Sequence, residues 1–333
     1  MAYEAAMNLT EVGSFDASHQ DLPWPWIAFD SSGKRFAFAS SDRRIETRFL
    51  DDGRVTEGPG LPLPPDLALS GIHGFSIDAH GTLLAVVGVI EAAGVVVTIG
   101  EDGQRRRTPL EALVGAGFTA RATTFDRTGA RLWISAESDA ETALLLVDAQ
   151  THALVGLARS ASFPPPASHE LYLHPQDDAV LLLAACGEDG TFARVAGWSG
   201  GGVEAISSAL DKGGISAGFV GFSADGARVH LAEADELRTH AWPGLEELSS
   251  VELADDFVSS YSGVVLGARI LVDGEEADSA EDGVMMFDPS ATRGSMLPPP
   301  VPTGMWAGRL GADAIVTVES KGEPARGRVV RIR

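Results

Sequence analysis

Five segments of this chain align at a near-constant interval. They are FDSSGKRFAFAS from Phe29, IDAHGTLLAVVG from Ile77, FDRTGARLWISA from Phe125, LHPQDDAVLLLA from Leu173 and FSADGARVHLAE from Phe222. Successive starts lie 48, 48, 48 and 49 residues apart. A period in this range marks a stacked or radial repeat architecture. Every unit has the same grammar. An apolar or aromatic residue ends one strand, a polar turn follows, and a second strand of β-branched and apolar residues comes next. Gly33, Gly81, Gly129 and Gly226 stand at the fourth step of the turn, where the fourth unit has Asp177. Gly and Asp both tolerate the positive φ of tight hairpins, so a positive φ is expected at all five.

Two weaker units extend the series: SGVVLGARILVDG from Ser262 and AGRLGADAIVTVES from Ala307. Seven units of about 45 residues match the length of a four-stranded propeller blade. Third strands are expected at Arg44 to Leu50, Val95 to Gly100, Ala143 to Asp148, Phe192 to Trp198, Leu237 to Trp242, Val284 to Asp288 and Arg328 to Arg333. The seventh unit ends with the chain at its third strand, and Leu9 to Phe15 is the segment free to supply the fourth. The expected fold is all-β: a single seven-bladed β-propeller over residues 1–333. Its blades are expected at about 23–66, 70–113, 118–160, 168–209, 216–254, 258–298 and 303–333, with 8–16 closing the last.

At the FSADG turn, and again at LLLVDAQTHALVG from Leu144, the chain resembles the WD-repeat and FSPDG-type propellers. The resemblance is one of pattern along nearly the whole chain. The Gly-His and Trp-Asp dipeptides of the WD repeat are absent. What the resemblance implies is a seven-bladed interaction platform, with no particular activity.

Charge narrows the partners. The chain has 47 Asp and Glu against 25 Lys and Arg, a net charge of -22. Such a surface repels phosphate backbones and anionic membranes, so neither nucleic acid nor membrane is an expected partner. A protein partner with a basic surface is. Three Lys and one Asn, beside abundant Ala, Gly and Arg, suggest a GC-rich bacterial source. The first residues carry no basic or apolar leader, and no apolar stretch approaches the ~18 residues of a membrane span, so a cytoplasmic location is expected. Cys186 is the single cysteine. It follows the apolar run from Val180 to Ala185, and the expectation is a small core side chain.

Propeller topology assigns the loops to two faces. Turns between second and third strands share the top face with the connections between blades. The top turns are acidic: Asp42, Glu91, Glu137, Asp139, Glu141, Glu188, Asp189, Glu233, Asp235, Glu236, Glu319 and Glu323. Blade 6 adds Asp273, Glu275, Glu276, Asp278, Glu281 and Asp282, without the spacing of an EF-hand. The bottom turns mix acids with bases that include Lys34, Arg35, Arg127, Arg131, Arg228 and Arg269. An acidic top face suits a basic protein segment, and equally suits plain solvation.

The register also isolates one position four residues before each aligned apolar residue. It holds Pro25, His73, Arg121, His169 and Gly218. This is the entry of each innermost strand, at the top mouth of the channel. His73, Arg121 and His169 then form an arc that can bind an anion or assist proton transfer, with Glu170 and Tyr172 nearby. The same residues can equally serve to satisfy buried backbone groups between blades. Aromatic residues cluster in the blade connections. Trp24 is the expected exposed anchor, and Trp26 and Trp306 are expected in blade packing.

Other patterns are set aside. Gly197-Trp198-Ser199-Gly200-Gly201 matches G-x-S-x-G, but the register places it in a hairpin with no helix to follow. Ser76 to Thr82 is similar to a sialidase Asp box but has one residue too many and no following aromatic, and is read as a blade turn. Arg105-Arg106-Arg107 is read as a local ion-pairing site on a bottom turn. No cofactor motif occurs, and no cofactor or metal site is expected. The leading expectation is a non-enzymatic platform binding through Trp24, His73, Arg121, His169, Glu275, Glu276, Asp278, Glu281 and Asp282. The alternative is a lactonase-like hydrolase, or a small-anion binding protein, using His73, Arg121, His169 and Glu170.

Overall fold

Each repeat unit folds as one antiparallel sheet whose first strand is innermost. The structure is a computed structural model. It describes residues 9–16, 27–40, 44–63, 71–165, 167–205, 210–211, 216–254, 256–276, 281–287, 294–297, 305–319 and 326–332. Seven four-stranded blades result, the fold expected from the repeat. Blade 3 shows the pattern, with strands Thr119–Phe125, Arg131–Glu137, Glu141–Asp148 and Leu154–Ala161 in spatial order. Neighbouring inner strands pack side by side around the axis. The described residues include one turn of α-helix, Glu111–Val114, between blades 2 and 3.

In the first five units the turn is held by the unit's second residue. Asp30 Oδ1 accepts the amides of Lys34 and Arg35 at 2.9 and 3.0 Å. Asp78 Oδ1 accepts those of Thr82 and Leu83 at 2.7 and 2.8 Å. Asp126 and Ser223 do the same for Arg131 and Arg228. The glycines three steps on take φ of 64°, 70°, 72° and 68° at Gly33, Gly81, Gly129 and Gly226. The expectation of a positive φ at Asp177 fails. His174 replaces the capping carboxylate there. Its Nδ1 accepts the Asp177 amide at 2.8 Å, and the turn closes without a left-handed residue at that step.

Period-two alternation then places the core. Apolar clusters lie in the seams between adjacent blades, and each second strand feeds two of them. Leu84 and Val86 face blade 1, whereas Ala85 and Val87 face blade 3. Val180, Leu182 and Ala184 face blade 3, whereas Leu181 and Leu183 face blade 5. A strand buried on both faces must be apolar throughout, which is why these segments read as continuous runs.

Closure comes from the N-terminal strand. Leu9–Asp16 pairs antiparallel with Arg326–Ile332, from Leu9 opposite Ile332 to Asp16 opposite Arg326. Phe15 packs its ring 4.4 Å from Phe38 and 5.1 Å from Phe36 of blade 1. The strand thereby covers the edge of blade 7 and ties the ring's two ends.

Some local expectations change. Arg105–Pro109 is the outer strand of blade 2 and not a turn, and Arg106 donates to the Thr151 carbonyl of blade 3 at 3.4 Å. Ser199 sits in the hairpin after Trp198 with a strand on each side, so no helical elbow strains it. At the bottom, Ser31 of blade 1 donates to the Arg127 carbonyl of blade 3 at 3.4 Å, so these turns converge on the axis. Trp306 is buried in the seam of blades 6 and 7. Trp24, Trp26 and Asp278 lie outside the described residues.

Candidate functional site at the channel mouth

The top ends of the inner strands of blades 2 and 3 are irregular at two of the residues the repeat register singled out, whereas blade 4 pairs regularly through His169. The ladder of blade 2 is bulged between Ile72 and Gly74, and that of blade 3 between Ala120 and Ala122. His73 and Arg121 are the extra residues. A bulge re-aims its side chain and loosens the local pairing. His73 Nδ1 donates to the Ala120 carbonyl of blade 3 at 2.7 Å, which leaves Nε2 without the proton in the neutral ring.

Arg121 and His169 converge on a carboxylate from the end of blade 3's second strand. Arg121 Nε lies 3.4 Å from Glu137 Oε2, and His169 Nε2 lies 3.8 Å from Glu137 Oε1. His169 Nδ1 meets Ser135 Oγ at 3.2 Å, and Phe163 sets its ring edge-on at 5.4 Å. The His169 side chain is fully shielded from solvent. Burial opposes ionisation of Glu137, but His169 and Arg121 outweigh it and hold the carboxyl below its usual range. The three side chains thus tie blade 3 to blade 4, with the Arg121 charge balanced from within. Glu137 was read as an exposed acid of the top face. It is buried, because the last residue of the second strand points into the seam.

Blade 4 contributes Glu170 and Tyr172. The Tyr172 hydroxyl donates to Glu170 Oε2 at 2.6 Å, and its ring stacks on Phe219 of blade 5 at 3.8 Å. Burial and the neighbouring carboxylate push the phenol well above its ordinary range.

Blade 6 carries the feature that sequence reasoning missed. Its inner strand is bulged between Ser259 and Ser262, and Tyr261 there has φ 57°. That is an uncommon conformation for a bulky side chain and stores backbone strain. The Tyr261 carbonyl occupies the space beside Gly218, where an added Cβ would lie 1.6 Å from the carbonyl oxygen. Only a glycine fits blade 5's place in the register. Tyr261 and Val258 are 41% and 48% exposed, unusual for large apolar residues on an inner strand. Val258 pairs directly with Glu275, and Glu275 with Asp282. Direct partners share a sheet face, so an exposed valine and two acids stand in one row. The weak alignment of the sixth unit gave no signal for this bulge.

The acidic face is less uniform than its composition. Arg238 binds Glu233, Glu236 and Glu247 at 2.7, 3.0 and 2.8 Å. Arg159 binds Glu141 at 2.6 Å. Asp273, counted with the exposed run of blade 6, is buried instead. It accepts from Ser262 Oγ at 3.1 Å and from the Trp306 amide, and burial pushes its carboxyl up to about 7. Exposed acids remain at Glu91, Asp139, Glu188, Asp189, Asp235, Glu275 and Glu281, with Glu276 and Asp282 half-buried. Cys186 is buried in the seam of blades 3 and 4. Burial, with Glu137 and Asp189 nearby, pushes its thiol up to about 11. Among the described residues, no group of three or more His, Cys, Asp or Glu side chains could hold a metal ion.

No protein-family model matches the chain, and no curated protein matches it. Solved structures do. The Cps50 (Swd1) β-propeller domain of Myceliophteria thermophila is similar with a TM-score of 0.59 at 12% identity, covering 95% of this chain and 98% of that one. A chain of the mitotic checkpoint complex is similar with a TM-score of 0.66 at 11% identity, covering 99% of this chain and 94% of that one. At such identities the likeness is one of fold, and the fold is that of a seven-bladed β-propeller.

Proposed function

We propose that the protein is a non-enzymatic interaction platform that receives a basic protein segment on its top face, at the blade 6 lip of the channel mouth. The observation that carries this reading is the row of exposed Val258, exposed Glu275 and half-buried Asp282 beside the strained, exposed Tyr261. An apolar contact flanked by carboxylates complements a Lys or Arg side chain, whose stem is apolar and whose head is cationic. One similar chain has been solved as part of an assembly, the mitotic checkpoint complex, which is compatible with this reading. Glu276 and Glu281, joined by the hydrogen bond from the Glu276 amide to the Glu281 carbonyl, extend the acidic lip. The hydrolase alternative draws no support from the arc, because His169 is sealed from solvent and Glu137 already balances Arg121.

Affinity capture from the native host tests the reading. The wild type is compared with a variant carrying Glu275→Ser, Glu276→Ser, Glu281→Ser and Asp282→Ser, and with Tyr261→Gly. Glycine relieves the left-handed backbone, so loss of binding in that variant reports a lost contact and not a lost fold. A partner released by salt and absent from both variants is expected. Capture of the same proteins by all three would sink the proposal.

A further inference from the structure

On the opposite face, the turns between first and second strands hold five residues in blades 1 to 5 and only two, Gly267 and Ala268, in blade 6. In blades 1, 3, 5 and 6 an arginine opens the second strand: Arg35, Arg131, Arg228 and Arg269. The first two reach the next blade's turn. Arg35 Nη1 donates to the Ala79 carbonyl at 2.7 Å. Arg131 is held by two carboxylates, Asp126 of its own turn at 2.8 Å and Asp178 of blade 4 at 2.9 Å. Arg228 has neither equivalent. Ser223 stands where Asp126 would, and the short turn of blade 6 offers Gly267 and Ala268 where Asp178 would be. Among the described residues, no side-chain hydrogen bond or ion pair within 4 Å holds the Arg228 guanidinium; its nearest charge partner is the exposed Asp225, whose carboxyl it helps to hold below its usual range.

The missing turn residues leave a groove of about 300 Å³ between blades 5 and 6. Arg228, His230 and Ser223 line one side, and Val265 and Ile270 the other. This is at the small end of small-molecule sites. Arg228 and His230 are two apart on one strand and share a face. His230 is buried, with Nδ1 3.0 Å from Thr239 Oγ1. The threonine hydroxyl can donate to Nδ1, which leaves the ring proton on Nε2 as a donor.

We propose that this groove binds a small organic monocarboxylate, whose carboxylate takes at Arg228 the place that Asp178 takes at Arg131 and whose apolar tail lies against Val265 and Ile270. An arginine fork matches a carboxylate in two parallel hydrogen bonds. Asp225 at the rim is held by the Ser223 hydroxyl at 2.6 Å and the Ala227 amide at 3.1 Å. Its charge disfavours a second carboxylate, so the site prefers monoanions over dianions. This site is independent of the top-face platform.

The test is a titration of the whole protein with butyrate, followed by NMR of the His230 imidazole and the Arg228 guanidinium. Succinate and butanol are the comparison ligands, and the Arg131 guanidinium is the internal control. Saturable shifts at Arg228 and His230, absent at Arg131, are expected with butyrate, weaker shifts with succinate, and none with butanol. Arg228→Gln should weaken binding by about tenfold or more, because it removes a charge-assisted pair. Ala268→Asp restores a carboxylate from blade 6 and should block butyrate. Both positions are exposed, so both variants should keep the wild-type spectrum elsewhere. Shifts that do not saturate, equal shifts at Arg131, or unchanged affinity in Arg228→Gln overturn the proposal.

Discussion

Replacing Asp273 with Asn should stabilise the protein at neutral and alkaline pH while changing little in acid. Asp273 is 4% exposed in the seam of blades 6 and 7. Burial is the main cause that lifts its carboxyl from 3.8 to about 7, and the charge of Asp282 adds to it. Hydrogen bonds from Ser262 and from the Trp306 and Gly274 amides only partly offset this. The folded state therefore keeps its proton up to about pH 7, whereas the unfolded chain releases it near the ordinary carboxylate value. Between those two values the folded state binds more protons, so stability falls as pH rises through the window. A shift of about three units corresponds to about 4 kcal/mol, of which about 3 kcal/mol falls between pH 5 and pH 8. Asn keeps an acceptor for Ser262 and Trp306 but carries no charge to desolvate. Urea unfolding of both proteins at about pH 5 and about pH 8 gives the two slopes. The wild type should lose about 3 kcal/mol more than Asp273→Asn over that interval. The general repulsion of an acidic protein affects both equally, so the difference isolates Asp273. Equal pH slopes in the two proteins would refute the reasoning.

Phe15→Ala should cost about 3 kcal/mol, because it empties the contact of the closing strand with Phe36 and Phe38, and a urea titration measures it. Asp126→Ala should cost about 3 kcal/mol, since it uncaps the blade 3 turn and takes one carboxylate from Arg131; a shift in the denaturation midpoint reads this. Cys186 should not react with a thiol reagent in the native protein at neutral pH and should react at once when unfolded, because its thiol is buried and pushed up to about 11.

The architecture was legible because its signals are local. A capped five-residue turn between two apolar strands is written within about ten neighbouring residues, and its recurrence at Phe29, Ile77, Phe125, Leu173 and Phe222 counts the blades. The closing strand followed from a deficit of one strand in the last unit, and Leu9–Asp16 supplies it. The role of Asp30, Asp78 and Asp126 as turn acceptors emerged only with the backbone amides in place.

What the sequence determined alone is this ring of hairpins, since turn chemistry and period-two burial depend on neighbours along the chain. Tertiary structure decided which charges face water. Glu137, Glu233 and Asp273 read as members of an acidic surface, yet each is buried, Glu137 and Asp273 against groups of the next blade and Glu233 against Arg238 of its own. Structure alone exposed Tyr261, through a bulge that no repeat signal marks, and left Arg228 facing a groove. The fate of a charged side chain at these seams depends on what the adjacent blade offers, and for Arg131 that partner, Asp178, lies about one repeat away in sequence. Asp178 meets Arg131 across blades 3 and 4, whereas two glycine and alanine positions leave Arg228 open across blades 5 and 6.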